Sequence, residues 1–203
     1  MLNMKKLNSA SCYLKHHFGI ISAFVVILAA TYAIELWLGR SLFGPDGKFG
    51  WWEGSIWSSE NSQRLADPYS FSHIGHGILF YCVLWCIARK TSVKFRLIIA
   101  MTIESVWEIM ENSPFIIERY RAVTISLGYV GDSIINSLSD VILATLGFLL
   151  AYRFNPLFSF FIIIIMEIGC ALLIRDNLTL NIIMLIHPID AIKDWQMAVA
   201  PQR

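Results

Sequence analysis

Residues 97–118 read LIIAMTIESVWEIMENSPFIIE. The stretch is long enough to cross a hydrocarbon core, which takes ~20 residues as a helix. Yet it carries Glu104, Glu108 and Glu111 within an otherwise apolar run. Steps of four and three place the three carboxylates on one helical stripe. Ionisable groups in lipid are expensive and turn toward a bundle interior or a watered cavity. The stripe therefore predicts a membrane-spanning helix with one polar face, which needs polar partners on other helices.

Those partners lie on both sides in the sequence. The apolar stretch 73–88 opens as SHIGHG, where His73 and His76, three residues apart, share a face. The stretch 133–150 opens within GDSIINSLSD, and Asp132, Asn136 and Asp140 repeat every four residues on one stripe. Two further apolar stretches, 18–39 and 157–174, complete five expected spans. The expected architecture is an all-α polytopic transmembrane helical bundle, one domain over residues 1–203, with a long loop at 40–72 and an amphipathic tail at 177–195.

Composition agrees. Of the 203 residues, 56% are hydrophobic and 15% charged, and the mean hydropathy is +0.59. A soluble domain carries about 25% charged residues, so a soluble globular protein is disfavoured. The net charge of +1 gives no basic surplus for a nucleic-acid partner. The bilayer itself is the expected partner, and seven Trp supply interfacial anchors, with Trp51, Trp52 and Trp57 of the 40–72 loop expected at the headgroups. Cys12, Cys82, Cys86 and Cys170 have neither a disulfide framework's nor a zinc knuckle's spacing and read as small buried hydrophobes.

Basic residues orient the bundle. Segments 1–17, 89–96 and 151–156 hold 8 of the 16 Lys and Arg in 31 positions, with no Asp or Glu. The positive-inside rule places them, and the N-terminus, in the cytoplasm. Lys5, Lys6 and Lys15 before an apolar run, with Ala33 as a cleavage point, also fit a signal peptide. The apolar character through Ile34, Leu36, Trp37 and Leu38 fits a retained span better.

With this orientation His73, His76, Glu111 and Asp132 fall in the outer half of the bundle, Glu108 lies near the midplane, and Asp140 lies ~12 Å deeper than Asp132. Three helices thus bring imidazoles and carboxylates to overlapping depths around a pocket open to the periplasm. Each group also has a plainer reading: His73 as an interfacial histidine, Asp132 as an N-cap after Gly131, Glu118 as a solvated helix end, Glu35 and Glu167 as structural pairs, and the stripes as a hydrogen-bonded network. So many carboxylates together would repel one another, and a metal or substrate cation would relieve that.

Imidazole and carboxylate donors suit zinc, iron or manganese. The expected ligands are His73, His76, Glu108, Glu111 and Asp132. Glu108, Asp140 and His76 are the expected acid–base groups, with a metal-bound water as nucleophile. Asn112, Asn136 and Asn177 would orient the substrate, and Arg119, Arg121 and Arg175 would hold a headgroup phosphate. The expected function is a metal-dependent enzyme, a hydrolase or transferase, acting on a lipid or lipid-linked phosphate. The alternatives are a proton-coupled transporter and a non-catalytic lipid-binding or assembly protein. The chain has no Gly-x-Ser-x-Gly elbow, P-loop, dinucleotide fingerprint or HExxH.

The runs SSENSQRLADPYSFSHIGHGILFY, ESVWEIMENSPFIIERYRAVTISLGYVGDSIINSLSD and IRDNLTLNIIMLIHPIDAIKDWQ closely resemble a proteobacterial inner-membrane protein family of unknown function. The resemblance covers about residues 40–196 and implies a multi-pass protein of the bacterial inner membrane, without implying a reaction. A much weaker, pattern-level likeness to VanZ-like proteins rests on an early His, a mid-chain Glu and a late Asp/Asn-rich helix, and assigns no residue.

Overall fold

Short polar residues set the helix starts. The side-chain oxygens of Ser92, Ser113, Ser133, Asn155 and Asn177 each accept from the backbone N–H three residues on, satisfying donors that a helix leaves free at its first turn. In the computed structural model, which describes residues 2–200 and the side chains of 19–200, eight helices follow one another: α1 (Leu2–Trp37), α2 (Ser70–Ile87), α3 (Val93–Glu111), α4 (Pro114–Val123), α5 (Ile134–Arg153), α6 (Pro156–Ile174), α7 (Leu178–Ile186) and α8 (Asp190–Met197). Among the described residues the only β pairing is an isolated bridge between Trp52 and Ala66.

Four helical segments are long and apolar enough to cross a membrane: Gly19–Trp37, Ser70–Ile87, Ile134–Arg153 and Pro156–Ile174. The stretch 97–118, expected as one span, is two helices. α3 has span length but carries Lys94, Arg96 and three glutamates, and it stops at Glu111. Ser113 is extended (ψ 149°) and caps α4, whose first residue is Pro114. Proline lacks the N–H that would continue α3 and pushes the residue before it out of helical geometry. The tail expected as one amphipathic segment is likewise two helices, α7 and α8, parted at His187–Ile189.

Contacts fix how the helices run. Ser70 and His73 of α2 face Asp140 of α5, and Tyr81 further along α2 meets Phe148, so the two helices run parallel. α3 runs against α2, with Glu104 beside His73 and His76 and Arg96 beside Tyr81. α1 packs along α3 through a Thr31–Ser105 hydroxyl contact and the Glu35–Asn112 hydrogen bond. Below the polar groups, Leu84, Leu97, Ala100, Met101 and Phe148 form a buried apolar layer. Ile165, Leu172 and Leu173 of α6 are exposed, an outer surface suited to acyl chains rather than water. Cys82 and Cys86 are also exposed on α2 rather than buried, whereas Cys170 is buried; Cys12 and the lysines at 5, 6 and 15 lie outside the described side chains.

The 40–69 loop is docked onto the start of α5. Ser133, Ile134 and Ile135 donate their N–H groups to the carbonyls of Ser62, Ser41 and Leu42. Gln63 Nε2 donates to Gly131 O at 2.7 Å, and Asn136 Nδ2 to Arg64 O at 2.9 Å. Arg64 pairs with Asp46 at 2.7 Å inside the loop. Trp51 and Trp52 are exposed at its rim, while Trp57 is half-buried.

Two glycines let α2 and α5 touch along their backbones. A Cβ on Gly77 would overlap the Ala144 carbonyl oxygen and lie 2.7 Å from Phe148 N, and one on Gly147 would overlap the Ile74 carbonyl. Gly169 on α6 has nothing within 4 Å of that position. Gly77→Ala is therefore expected to destabilise the protein by about 1–3 kcal/mol through overpacking. Gly169→Ala is expected to be neutral or to stabilise by up to ~1 kcal/mol through helix propensity. Thermal unfolding of the two variants in detergent checks this; equal melting temperatures would show that the glycine contact does not set the helix spacing.

Candidate functional site

The first turns of α2 deliver both imidazoles to one carboxylate. Glu104 Oε1 lies 2.6 Å from His73 Nδ1 and 3.0 Å from His76 Nδ1, so a single oxygen bridges the two rings. One turn along α3, Glu108 Oε1 stands 3.2 Å from the same His73 nitrogen. The other nitrogen, Nε2, faces Asp140 Oδ2 of α5 at 3.7 Å. His76 is stacked near Phe80 and meets the Trp107 ring edge-on, which sets its plane.

Glu104 and Glu108 are both fully buried. Glu104 Oε2 and both oxygens of Glu108 have no hydrogen-bond partner among the described residues. A buried carboxylate without donors is costly, which marks these oxygens as ligand atoms in waiting. Three overlapping sets have donor atoms within 4.8 Å of one another: His73, His76 and Glu104; His73, Glu108 and Asp140; and Glu108, Glu111 and Asp132. His73 and Glu108 each belong to two of them.

A cavity of about 410 Å³ opens onto this cluster. His73, His76, Glu104, Glu111, Asp132 and Asp140 supply its polar lining. Asp132 is aimed there by Gly131, whose φ of +89° suits glycine, and by Tyr129, which donates its hydroxyl to Asp132 Oδ1 at 2.9 Å. Burial pushes the Asp132 carboxyl well above its ordinary value, and the neighbouring Glu111 and Asp140 charges add to this. Leu79, Phe80, Ile103 and Trp107 form an apolar wall, and α7 covers the cavity with Leu178, Asn181, Ile182 and Leu185.

The structure thus gathers His73, His76, Glu108, Glu111, Asp132 and Asp140 into one place, with Asn136 on the cavity wall. It also brings in groups that the sequence reading left out of the site. Glu104, the deepest member of the stripe, is the carboxylate nearest both imidazoles; its place one turn before Glu108 was the available signal. Asp67, Tyr69, Tyr120 and Tyr129 line the cavity too, with no spacing in the sequence to announce them. Asn112, Arg119, Arg121, Arg175 and Asn177 do not line it. Asn112 is buried between helices, donating to Glu35 and Ser137 and accepting from Asp132 N. Arg119 donates twice to Leu185 O, Arg121 to Tyr129 O and Arg175 to Trp195 O. Asn177 caps α7. These side chains contact backbone or neighbouring helices outside the cavity wall.

The model of the family described as "Protein of unknown function (DUF2585)" matches residues 35–198, which include every group of the cluster. The chain belongs to this family. It is 49% identical to a UPF0314 protein of Paracoccus denitrificans over 86% of this chain and 90% of that protein. It is 46% identical to one from Sphingopyxis alaskensis, covering 87% and 93%, and 44% identical to one from Brucella anthropi, covering 95% and 98%. No solved structure matches the chain.

In this member of the DUF2585 family the cavity cover is anchored by Asp176, just after α6. Its Oδ1 accepts from Asn177 N and Gln196 Nε2, both at 2.9 Å, and its Oδ2 from Tyr69 OH and Asn181 Nδ2, both at 3.0 Å. Burial raises its carboxyl from 3.8 to about 6, against the pull of those donors. Between 3.8 and about 6 the folded protein keeps a proton that the unfolded chain has released. Its contribution to stability is therefore greatest below 3.8 and is lost as the pH rises through about 6. Relative to Asp176→Asn, the parent should lose on the order of 3 kcal/mol across that window. Unfolding of both proteins followed from pH 3.5 to pH 7 checks this, and parallel pH profiles would refute it.

Proposed function

We propose that this protein is a membrane-embedded, metal-dependent enzyme acting on the polar end of a lipid-like substrate. The observation that carries the reading is the pair of fully buried glutamates, Glu104 and Glu108, beside two imidazoles, with three oxygens that accept no hydrogen bond among the described residues. A divalent cation would satisfy the free oxygen of Glu104 where water is scarce, and the mixed nitrogen–oxygen donor set suits zinc, iron or manganese. His73, His76 and Glu104 would hold the ion. Asp140, facing His73 Nε2, is the outer carboxylate that fixes the ring. Glu108, one turn from Glu104, accepts a proton from the attacking group. A bound ion would supply a nucleophilic water near neutral pH and polarise the bond under attack.

The cavity's shape supports an amphiphile. Leu79 and Ile103 line the cavity and are exposed on the outside of the bundle. An acyl or prenyl chain lying between α2 and α3 can therefore bring its headgroup to the carboxylates sideways from the bilayer. With Arg119, Arg121 and Arg175 bound to backbone, a headgroup phosphate would be met by the cation rather than by guanidinium groups. A proton-coupled transporter would need polar groups on through the bundle, and the layer of Leu84, Leu97, Ala100, Met101 and Phe148 offers none. The basic residues at the other end support a periplasm-facing cavity in the inner membrane.

Elemental analysis of the detergent-purified protein beside its His73→Ala/His76→Ala variant tests the reading. The parent is expected to carry a stoichiometric transition metal that the variant, still helical and cooperatively melting, has lost. Absence of metal from both after incubation with zinc, iron and manganese would overturn it. So would proton flux in proteoliposomes that Glu108→Gln abolishes, since that would establish transport.

A further inference from the structure

At the end of the bundle away from the cavity, a cation stands without a partner among the described residues. Arg96, in the first turn of α3, is only 6% exposed. It makes no hydrogen bond or ion pair among the described residues, and its Nε and Nη1 are buried and unsatisfied. Its guanidinium carbon lies 5.9 Å from the centre of the Tyr81 ring, a contact with a π-face and not with an anion. A buried guanidinium left unpaired is strongly destabilising, so a counter-charge is required.

The chain does not contain one within reach. No Asp or Glu occurs at 1–34, 68–103 or 141–166, the segments that form this end of α1, α2, α3, α5 and α6. The nearest acid along α3 is Glu104, eight residues on, or ~12 Å along the helix. Around Arg96 the charges are all positive: Arg89 and Lys90 between α2 and α3, Lys94 in α3, and Arg153 in the last turn of α5. The free N–H groups at the start of α3 add to the positive field.

We propose that this end binds the phosphate of an anionic phospholipid headgroup, with Arg96 as the buried contact. Guanidinium meets phosphate with two parallel hydrogen bonds, and a basic pocket between helix ends is suited to an anionic headgroup. The surroundings favour a lipid over a soluble phosphate. Trp85, Ile87, Phe95, Tyr152, Phe154 and Phe158 are exposed at the same end, where they flank a headgroup and take up its chains. Arg89 lies 4.5 Å over the Trp85 ring, as expected of an interfacial pair. The site shares no residue with the metal cluster and stands whether or not a metal binds there.

The test uses the full chain purified in a zwitterionic detergent and melted with phosphatidylglycerol, with phosphatidylcholine of the same chains, or with inorganic phosphate. Phosphatidylglycerol about 100-fold above its Kd should raise the melting temperature by on the order of 5–10 °C, and phosphatidylcholine should not. Arg96→Gln should lose the shift. Arg96→Met, which removes the unpaired charge and keeps the bulk, should melt above the parent in lipid-free micelles and below it once phosphatidylglycerol is added. That crossing keeps the proposal open to refutation if Arg96→Gln fails to fold. An equal shift with inorganic phosphate would overturn the lipid as the source. A phosphatidylglycerol shift of the same size in Arg96→Met would overturn the site.

Discussion

A bilayer offers no hydrogen-bond partners, so carboxylates carried into it must be satisfied by other helices, by trapped water or by a bound ion. α3 carries three on one stripe, and the arrangement of its neighbours answers to them. α2 and α5 run parallel and touch backbone to backbone at Gly77 and Gly147, which brings His73 and Asp140 to opposite sides of the same imidazole. Larger residues at the two glycines would hold the helices apart and leave His73 able to reach α3 or α5, but not both. The helix spacing and the polar cluster are therefore one feature.

Asn112 closes the arrangement from above. It sits where α3 must stop, because Ser113 and Pro114 begin a new helix. Its amide donates to Glu35 of α1 and Ser137 of α5, and its carbonyl accepts from Asp132 N. One side chain thus fastens three helices and presents Asp132 to the cavity. The 40–69 loop works at the same level, capping the start of α5 with its carbonyls so that no donor is left free beside the cluster. Asp176 does the same for the cover helix, gathering Tyr69, Asn181 and Gln196 from three separate parts of the chain.

The polar stripes were legible in the sequence because they depend only on helical period: His73 with His76, Glu104 with Glu108 and Glu111, Asp132 with Asp140. Their convergence was legible from orientation. The break at Asn112 was also written there, as a serine followed by a proline, but the apolar residues beyond it masked the cap as continuation of a span. The partners of Arg119, Arg121 and Arg175 are backbone carbonyls of Leu185, Tyr129 and Trp195, which local spacing does not reveal. Cys82 and Cys86 misled because in a membrane bundle an apolar position need not face protein. The cavity's tyrosines come from segments whose positions only the tertiary fold sets.

Charge is segregated along the bundle. The carboxylates gather at the cavity end, cations gather at the other, and Leu84, Leu97, Ala100, Met101 and Phe148 lie between them. A protein that moved a proton or ion across the bilayer would need that layer to be polar or to open. Here it is a buried part of the core, with Phe148 and Met101 almost wholly enclosed. On the proposed readings the two ends would act independently, the acidic cavity taking its ligand from one leaflet and the basic end an anionic headgroup from the other. Such a division suits an enzyme held at a fixed depth and orientation, whose substrate arrives along the membrane instead of through it.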